Sequence, residues 1–247
     1  MKADAAAQQL LLDLQKLDTK AAQLDHREST LPQKQTLADL KVRIQRLHDE
    51  HVAAVVIARD LERDQARAES DVEQVRERST KDQQLLDSGA ISDPKQLVNL
   101  QHELQSLARR QGELEDVELE AMERVEGAQA AVRQLAGQHA EAVVEGEAIE
   151  AEIAALVLEI NAERHNTIAD RNELKPRIPA DLIALYEKIR IDGGGVGAAH
   201  LHRGQCQGCR LQLPPNEIEA LRATPEDEVV RCEECRRILV RNAESGL

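Results

Sequence analysis

Two CxxC pairs stand near the end of the chain, CQGC at Cys206–Cys209 and CEEC at Cys232–Cys235, and they hold its only four cysteines. Each pair places two thiolates on one tight turn whose backbone N–H groups point at sulfur. Two such knuckles supply four sulfurs in a tetrahedron, the arrangement zinc takes at about 2.3 Å per bond. Free thiols and an iron–sulfur centre are the rival readings. Four protein sulfurs leave no open position for water, so this metal is structural rather than catalytic. A module of about 50 residues, poor in large apolar side chains, needs such a metal to fold. The expectation is one structural Zn2+ held by Cys206, Cys209, Cys232 and Cys235.

Other polar residues crowd the same stretch. His200 and His202 are alternative ligands by position, and with four cysteines present they read as surface or strand residues. Arg203, Arg210, Arg231, Arg236, Arg237 and Arg241 surround the knuckles, and clustered guanidinium groups suit phosphate. Glu233, Glu234 and the run Glu226 to Glu228 partly offset them. Arg210, Arg236 and Arg237 are the candidate nucleic-acid contacts; a solvated or protein-docking surface is the other reading. No Phe, Tyr or Trp lies in this stretch, so bases have no aromatic ring to stack on. The glycine run DGGGVG lacks the lysine and Ser/Thr of a phosphate-binding loop and reads as a flexible linker. With no nucleophile–base set and no paired-carboxylate pocket, the chain is not expected to be an enzyme.

The elements that must carry these residues follow from composition. Of 247 residues 41% are apolar, Phe and Trp are absent, and Tyr186 is the single aromatic residue. Leu, Val, Ile and Ala together with 32% charged residues are the mixture of a coiled coil. No run of about 18 apolar residues exists, so no membrane span is expected. The first residues lack a signal-peptide layout. A cytoplasmic, reducing location is expected, where paired cysteines bind metal more often than they form disulfides. The net charge is −14, and residues 193–247, with seven Arg, no Lys and eight acids, contribute only −1 of it. Phosphate binding needs cations, so any nucleic-acid contact belongs to this C-terminal part.

From Leu97 to Ile160, alternate steps of three and four residues meet Leu, Ile, Val or Ala at fifteen of nineteen positions, the exceptions being Gln111, Glu118, His139 and Gly146. Such a repeat specifies a left-handed coiled coil. A second run passes through Leu37, Leu40, Ile44, Leu47, His51, Ala54, Ala58 and Leu61, then more weakly through Ala68, Val72 and Val75 to Leu86; a third is Leu10, Leu14, Leu17, Ala21, Leu24. Between the arms, Gly89 suits a helix C-terminus, Asp93 an N-cap with Gln96 as its capping-box partner, and Pro94 a first helical position. Two arms of about 80 residues, each about 120 Å at roughly 1.5 Å per residue, joined by a short loop pack antiparallel. Counting from the tip sets Ala53 and Ala54 against Ala128, Ala130 and Ala131. His51 and His139 fall on the seams but not opposite each other, and read as register markers. Pro32 predicts a break near residues 30–32, with Ser29 or Thr30 capping the restarted helix.

The fold class is therefore mainly α: an antiparallel coiled-coil helical hairpin with a small C-terminal α+β zinc ribbon. Residues 1–175 form the hairpin, with its tip near 88–93. Residues 176–192 form a short connecting helix with Leu182, Ile183, Leu185, Tyr186 and Ile189 on its apolar side. Residues 193–247 form the ribbon, with strands in VGAAHL, RLQL, EVVRC and RILVR and a helix in PPNEIEALRA. A hairpin that closes its own seam is a monomer or a homodimer.

Several stretches carry a family resemblance: DPKQLVNLQHELQSLARRQ after the tip, LEDVELEAME in the second arm, PADLIALYEKIR before the ribbon, and most of all GVGAAHLHRGQCQGCRLQLPPNEIEALR followed by VVRCEECRRILVR. Over nearly its whole length the chain resembles bacterial coiled-coil hairpin proteins with a C-terminal C4-type zinc ribbon, described as nucleic-acid-binding. The resemblance implies a helical hairpin, a helical connection and a ribbon whose zinc ligands match the four cysteines. It also implies RNA or DNA as a partner of the ribbon and a protein partner for the coiled coil. In flagellated bacteria, similar members bind an alternative sigma factor and a flagellin messenger RNA. The expected role is a non-catalytic adaptor, with a purely structural protein-interaction coiled coil as the alternative. Arg203 and Arg236 depart from the family pattern, standing where glycine is usual, and glycine tolerates positive φ far better than arginine.

Overall fold

The structure is a computed structural model describing residues 1–247. The chain divides into two compact units, Gln35–Glu150 alone and Met1–Lys34 together with Ala151–Leu247. Helices α1 (Ala5–Ser29), α2 (Pro32–Asp87) and α3 (Pro94–Leu174) come first, then a single 3-10 turn (Lys175–Arg177) and α4 (Ala180–Asp192). The C-terminal part adds β1 (Ala198–His202), β2 (Gln205–Cys206), α5 (Pro215–Ala223), β3 (Val230–Arg231) and β4 (Ile238–Val240).

Unit Gln35–Glu150 is a hairpin of α2 on α3, as the apolar period predicts. All nineteen seam positions between Leu97 and Ile160, the four exceptions included, are at least half-buried. Leu40, Leu47 and Ala142 form one knot of this seam, with Ile44, Leu135 and Ile149 around it. Exposed pairs brace its flanks: Lys41–Glu150 at 2.7 Å, Arg76–Glu115 at 2.6 Å, and a Gln129–Glu62 hydrogen bond at 2.8 Å. Exposed pairs of this kind contribute about 0–1 kcal/mol each and mainly set register. That register leaves Ala53, Ala130 and Ala131 exposed; the alanines on the seam are Ala54, Ala58, Ala68, Ala121, Ala128 and Ala142. His139 meets His48, ring centroids 5.6 Å apart, and not His51.

At the tip Gly89 adopts φ +66°, the left-handed conformation expected after a helix. Asp93 caps α3 through the Lys95 N–H at 2.9 Å. The break near Pro32 is present, but its polar residues act on the other side. The hydroxyls of Ser29 and Thr30 donate to the His26 carbonyl at 2.9 and 2.7 Å. They close α1 rather than open α2, because the carbonyls left bare at the end of α1 are the nearer acceptors.

The second unit is built around the ribbon sheet, of order β2-β1-β4-β3 with β1 and β4 parallel. Of the expected strands, RLQL contributes only an isolated bridge, Gln205 with Gln212. Alternation sends Ala198, Ile238 and Val240 to one face and Ala199, Leu201 and Leu239 to the other. The first face packs on Leu11 and Leu14 of α1 and on Leu182, Tyr186 and Ile189 of α4. Helix α1, whose leucines read as coiled coil, thus also covers the sheet. Main-chain bonds fasten the N-terminus as well, Ala3 N–H to the Asp227 carbonyl at 2.8 Å and Val229 N–H to the Met1 carbonyl at 3.0 Å.

A buried polar knot joins these layers. The fully buried Tyr186 donates its hydroxyl to Asp18 at 2.7 Å. Burial and the neighbouring Asp18 carboxylate both push the phenol pKa up. Asp18 also accepts from the Arg171 Nε at 2.6 Å, a contact that holds the guanidinium firmly protonated. Gln15 accepts from the Gly197 N–H at 2.7 Å and donates to the Gly195 carbonyl at 3.0 Å. Arg237 donates to the carbonyls of Gly193 and Val196. The glycine run expected as a flexible linker is therefore pinned from two sides. A Cβ at Gly197 would lie 2.7 Å from the Tyr186 carbonyl, so only glycine fits there.

Tyr186→Phe removes one donor from buried Asp18 and should cost about 1–3 kcal/mol. Asp18→Ala should cost more, because Arg171 loses its main acceptor. Urea unfolding of the full chain measures both; a Tyr186→Phe variant as stable as the parent would show the knot to be idle.

Candidate metal centre

Each knuckle is shaped by its own backbone. In the first, the Arg210 N–H donates to the Cys206 carbonyl at 2.7 Å; in the second, the Arg236 N–H donates to the Cys232 carbonyl at 2.9 Å. The two turns repeat each other further, with Cys206 N–H on the Leu211 carbonyl and Cys232 N–H on the Arg237 carbonyl, both at 3.0 Å. Each closes on a left-handed arginine, Arg210 at φ +62° and Arg236 at φ +63°. The N–H groups of Gly208 and Cys209 serve the Cys206 sulfur, and those of Glu234 and Cys235 serve Cys232.

The folding of β1, β2, β3 and β4 brings the four sulfurs together, all within 4.8 Å of one another. Cys206 and Cys235 lie 3.8 Å apart, Cys209 and Cys232 3.9 Å. A zinc tetrahedron with bonds of about 2.3 Å has edges of about 3.8 Å, so the sulfurs stand at the spacing a zinc ion requires. Cys206 and Cys232 are buried and the other two half-buried. They sit in an apolar cluster with Ala199, Leu201, Leu213, Leu221 and Leu239. Without a cation, burial pushes the Cys206 thiol up to about 12 and raises Cys232 as well. At Cys235 burial acts in the same direction, but the Arg237 N–H and the neighbouring sulfurs outweigh it and bring the thiol below its ordinary value. Metal binding therefore displaces protons, and affinity falls as pH falls.

A family model described as a CT398-like coiled coil hairpin domain matches residues 14–194, and one described as a C4-type zinc ribbon domain matches residues 205–239. The chain belongs to the CT398-like hairpin family. An uncharacterized protein of Mycobacterium tuberculosis is 39% identical over 245 residues, 98% of each chain. A solved structure from Mycobacterium smegmatis superposes with a TM-score of 0.82 at 34% identity, covering 98% of this chain and 100% of that one. CT398 of Chlamydia trachomatis shares the fold, TM-score 0.63 at 21% identity over 95% and 97% of the two chains. In this family member the ribbon is a C4 zinc site with one structural zinc. Hairpin and ribbon together form an interaction scaffold.

The arginines around the site separate into two groups. Arg237 donates to the carbonyls of Gly208 at 2.8 Å, Gly193 at 3.0 Å and Val196 at 3.2 Å. It is a strut between the second knuckle, the first knuckle and the glycine loop. Arg241 is engaged likewise on the carbonyls of Leu221, Thr224, Pro225 and Glu228. Residue type and spacing do not distinguish such struts from free cations. Arg210 and Arg236 are exposed, and their side chains make no hydrogen bond or ion pair; so too with Arg203, at φ +47°. The sequence signal for Arg203 and Arg236 was the departure from glycine; that for Arg210 was its place beside the first knuckle.

Purified protein should carry one zinc per chain by elemental analysis. Cys232→Ser should release it and loosen the ribbon cluster, while Gln35–Glu150 keeps its helical circular dichroism because its seam contains no cysteine. A variant that retains a full equivalent of zinc would contradict this assignment.

Proposed function

We propose that the protein is a non-catalytic adaptor: its zinc ribbon contacts RNA or DNA phosphates, and its coiled-coil hairpin docks a protein partner. One observation carries the nucleic-acid half. The non-glycine residues with positive φ are Arg203, Arg210 and Arg236, and all three are exposed. A side chain in that conformation costs about 1–2 kcal/mol relative to a relaxed backbone. Their main chains close the turns, but none of the three side chains makes an internal hydrogen bond or ion pair, whereas the guanidinium groups of Arg237 and Arg241, in ordinary backbone conformations, hold the fold. Arginine kept where the turn favours glycine, with a side chain that holds nothing inside the fold, supports a role outside it, and three unpaired guanidinium groups beside two metal-held turns suit phosphate. Four thiolates leave the zinc no open position, which supports a structural metal over a catalytic one.

The docking half rests on apolar side chains that the hairpin seam does not use. Val52 and Val56, one turn apart on α2, are 48% and 52% exposed, and Ile57 beside them 57%. On α3, Val117, Leu119 and Met122 are also open to solvent. These residues favour the second reading too, in which hairpin docking is the whole function and the zinc only folds its module.

The two readings separate in one variant, Arg203→Gly/Arg210→Gly/Arg236→Gly. Relief of positive-φ strain should leave thermal stability unchanged or raise it, by up to about 1 kcal/mol per site. Binding to a mixed-sequence single-stranded RNA should weaken, and its salt slope should flatten by about one unit for each arginine that had neutralised a phosphate. Because bases find no aromatic platform in the ribbon, sequence preference should be small. A variant that binds as tightly as the parent, or a parent that does not bind at low salt, removes the nucleic-acid half and leaves the docking scaffold.

A further inference from the structure

We propose that the ribbon carries a second, open metal site formed by His200, His202 and Glu244, suited to a zinc-class divalent cation. It is independent of the four-cysteine centre and of the nucleic-acid reading. His200 and His202 alternate by two along β1 and so project from the same face, with ring centroids 5.8 Å apart. The third group comes from beyond β4. There the chain returns beside the β1–β2 turn, with Arg203 N–H on the Glu244 carbonyl at 2.9 Å and Gly204 N–H on the Ser245 carbonyl at 2.8 Å. Ser245 is fully buried, and its hydroxyl accepts from the Asn242 N–H at 2.8 Å. This anchored turn sets the Glu244 carboxylate 3.6 Å from the Nδ1 of His202.

The three side chains each offer a ligand atom, and these atoms lie within 4.8 Å of one another. A second observation points the same way. The Nε2 of His200 is shut off from solvent and has no hydrogen-bond partner. A buried polar atom left bare costs about 1–3 kcal/mol, and an unseen ion or water is a usual reason for one.

The donor set decides the metal class. Two neutral imidazoles and one carboxylate suit zinc, cobalt or nickel and disfavour magnesium or calcium, which prefer oxygen. Three ligands leave at least one position for water, unlike the closed four-sulfur site. With Glu244 exposed and only one anionic ligand, affinity should be weaker than at the thiolates. Occupancy would tie the C-terminal turn to β1.

Cobalt reports both sites in one titration of the tag-free, full-length protein. Thiolate ligation gives an intense charge-transfer band, which a nitrogen–oxygen site does not. The parent should bind two equivalents by elemental analysis after removal of free metal, with the band saturating at one. His202→Ala/Glu244→Gln should bind one equivalent with an unchanged band, which also shows that the ribbon is intact. Their side chains are 39% and 68% exposed and belong to neither apolar cluster of the ribbon, so the substitutions spare the core. A parent that takes up only one equivalent, or a double variant that still takes up two, overturns the proposal.

Discussion

Four sulfurs held within 4.8 Å of one another form the constraint on which the ribbon depends. As thiols they would crowd a small apolar cluster with weak donors, and as bare thiolates they would repel each other. A divalent cation resolves both by making the cysteines the centre of that cluster. The sheet gains a second core on the face opposite α1 and α4. Strands of two and three residues, such as β2 and β4, could not hold a sheet by ladder bonds alone. Here the metal closes one face while Leu11, Leu14 and Tyr186 close the other.

The other unit needs no such device. Residues 35–150 bury a continuous 3.5-residue seam, and each turn added to the helices repeats the same packing. Its stability is distributed, whereas that of the ribbon is concentrated in one ion and one buried knot at Asp18. The closed metal and the pinned glycine loop leave little to move near the knuckles, which suits presentation of fixed cations. The exposed valines of α2 and α3, by contrast, lie on regular helix, a surface a partner helix can follow.

Periodicity made the hairpin legible because a coiled coil writes its packing at fixed spacing. Every seam position between Leu97 and Ile160 is found inside, even Gln111, Glu118 and His139. The metal site was legible for a similar reason, since CxxC spacing is itself the geometry of a knuckle. Less could be read where long-range packing decides. Leu11 and Leu14 carry no mark saying whether they face another helix or a sheet. Gln15 and Asp18 lie off the apolar run of α1, yet both are buried against Tyr186 and the glycine loop. Arg237 read as a phosphate contact because arginine type does not reveal that its guanidinium holds three carbonyls. His200 and His202 read as ordinary strand residues, since only the returning chain brings Glu244 to them.

The central functional claim is that nucleic acid meets this protein at the metal-held knuckles. Ultraviolet crosslinking of the full-length protein to mixed-sequence single-stranded RNA, followed by mass spectrometry of the joined peptides, addresses it directly. The account predicts crosslinks in the segments that contain Arg203 to Arg210 and Arg231 to Arg236. Crosslinks confined to residues 35–150, or none above background at low salt, would contradict it.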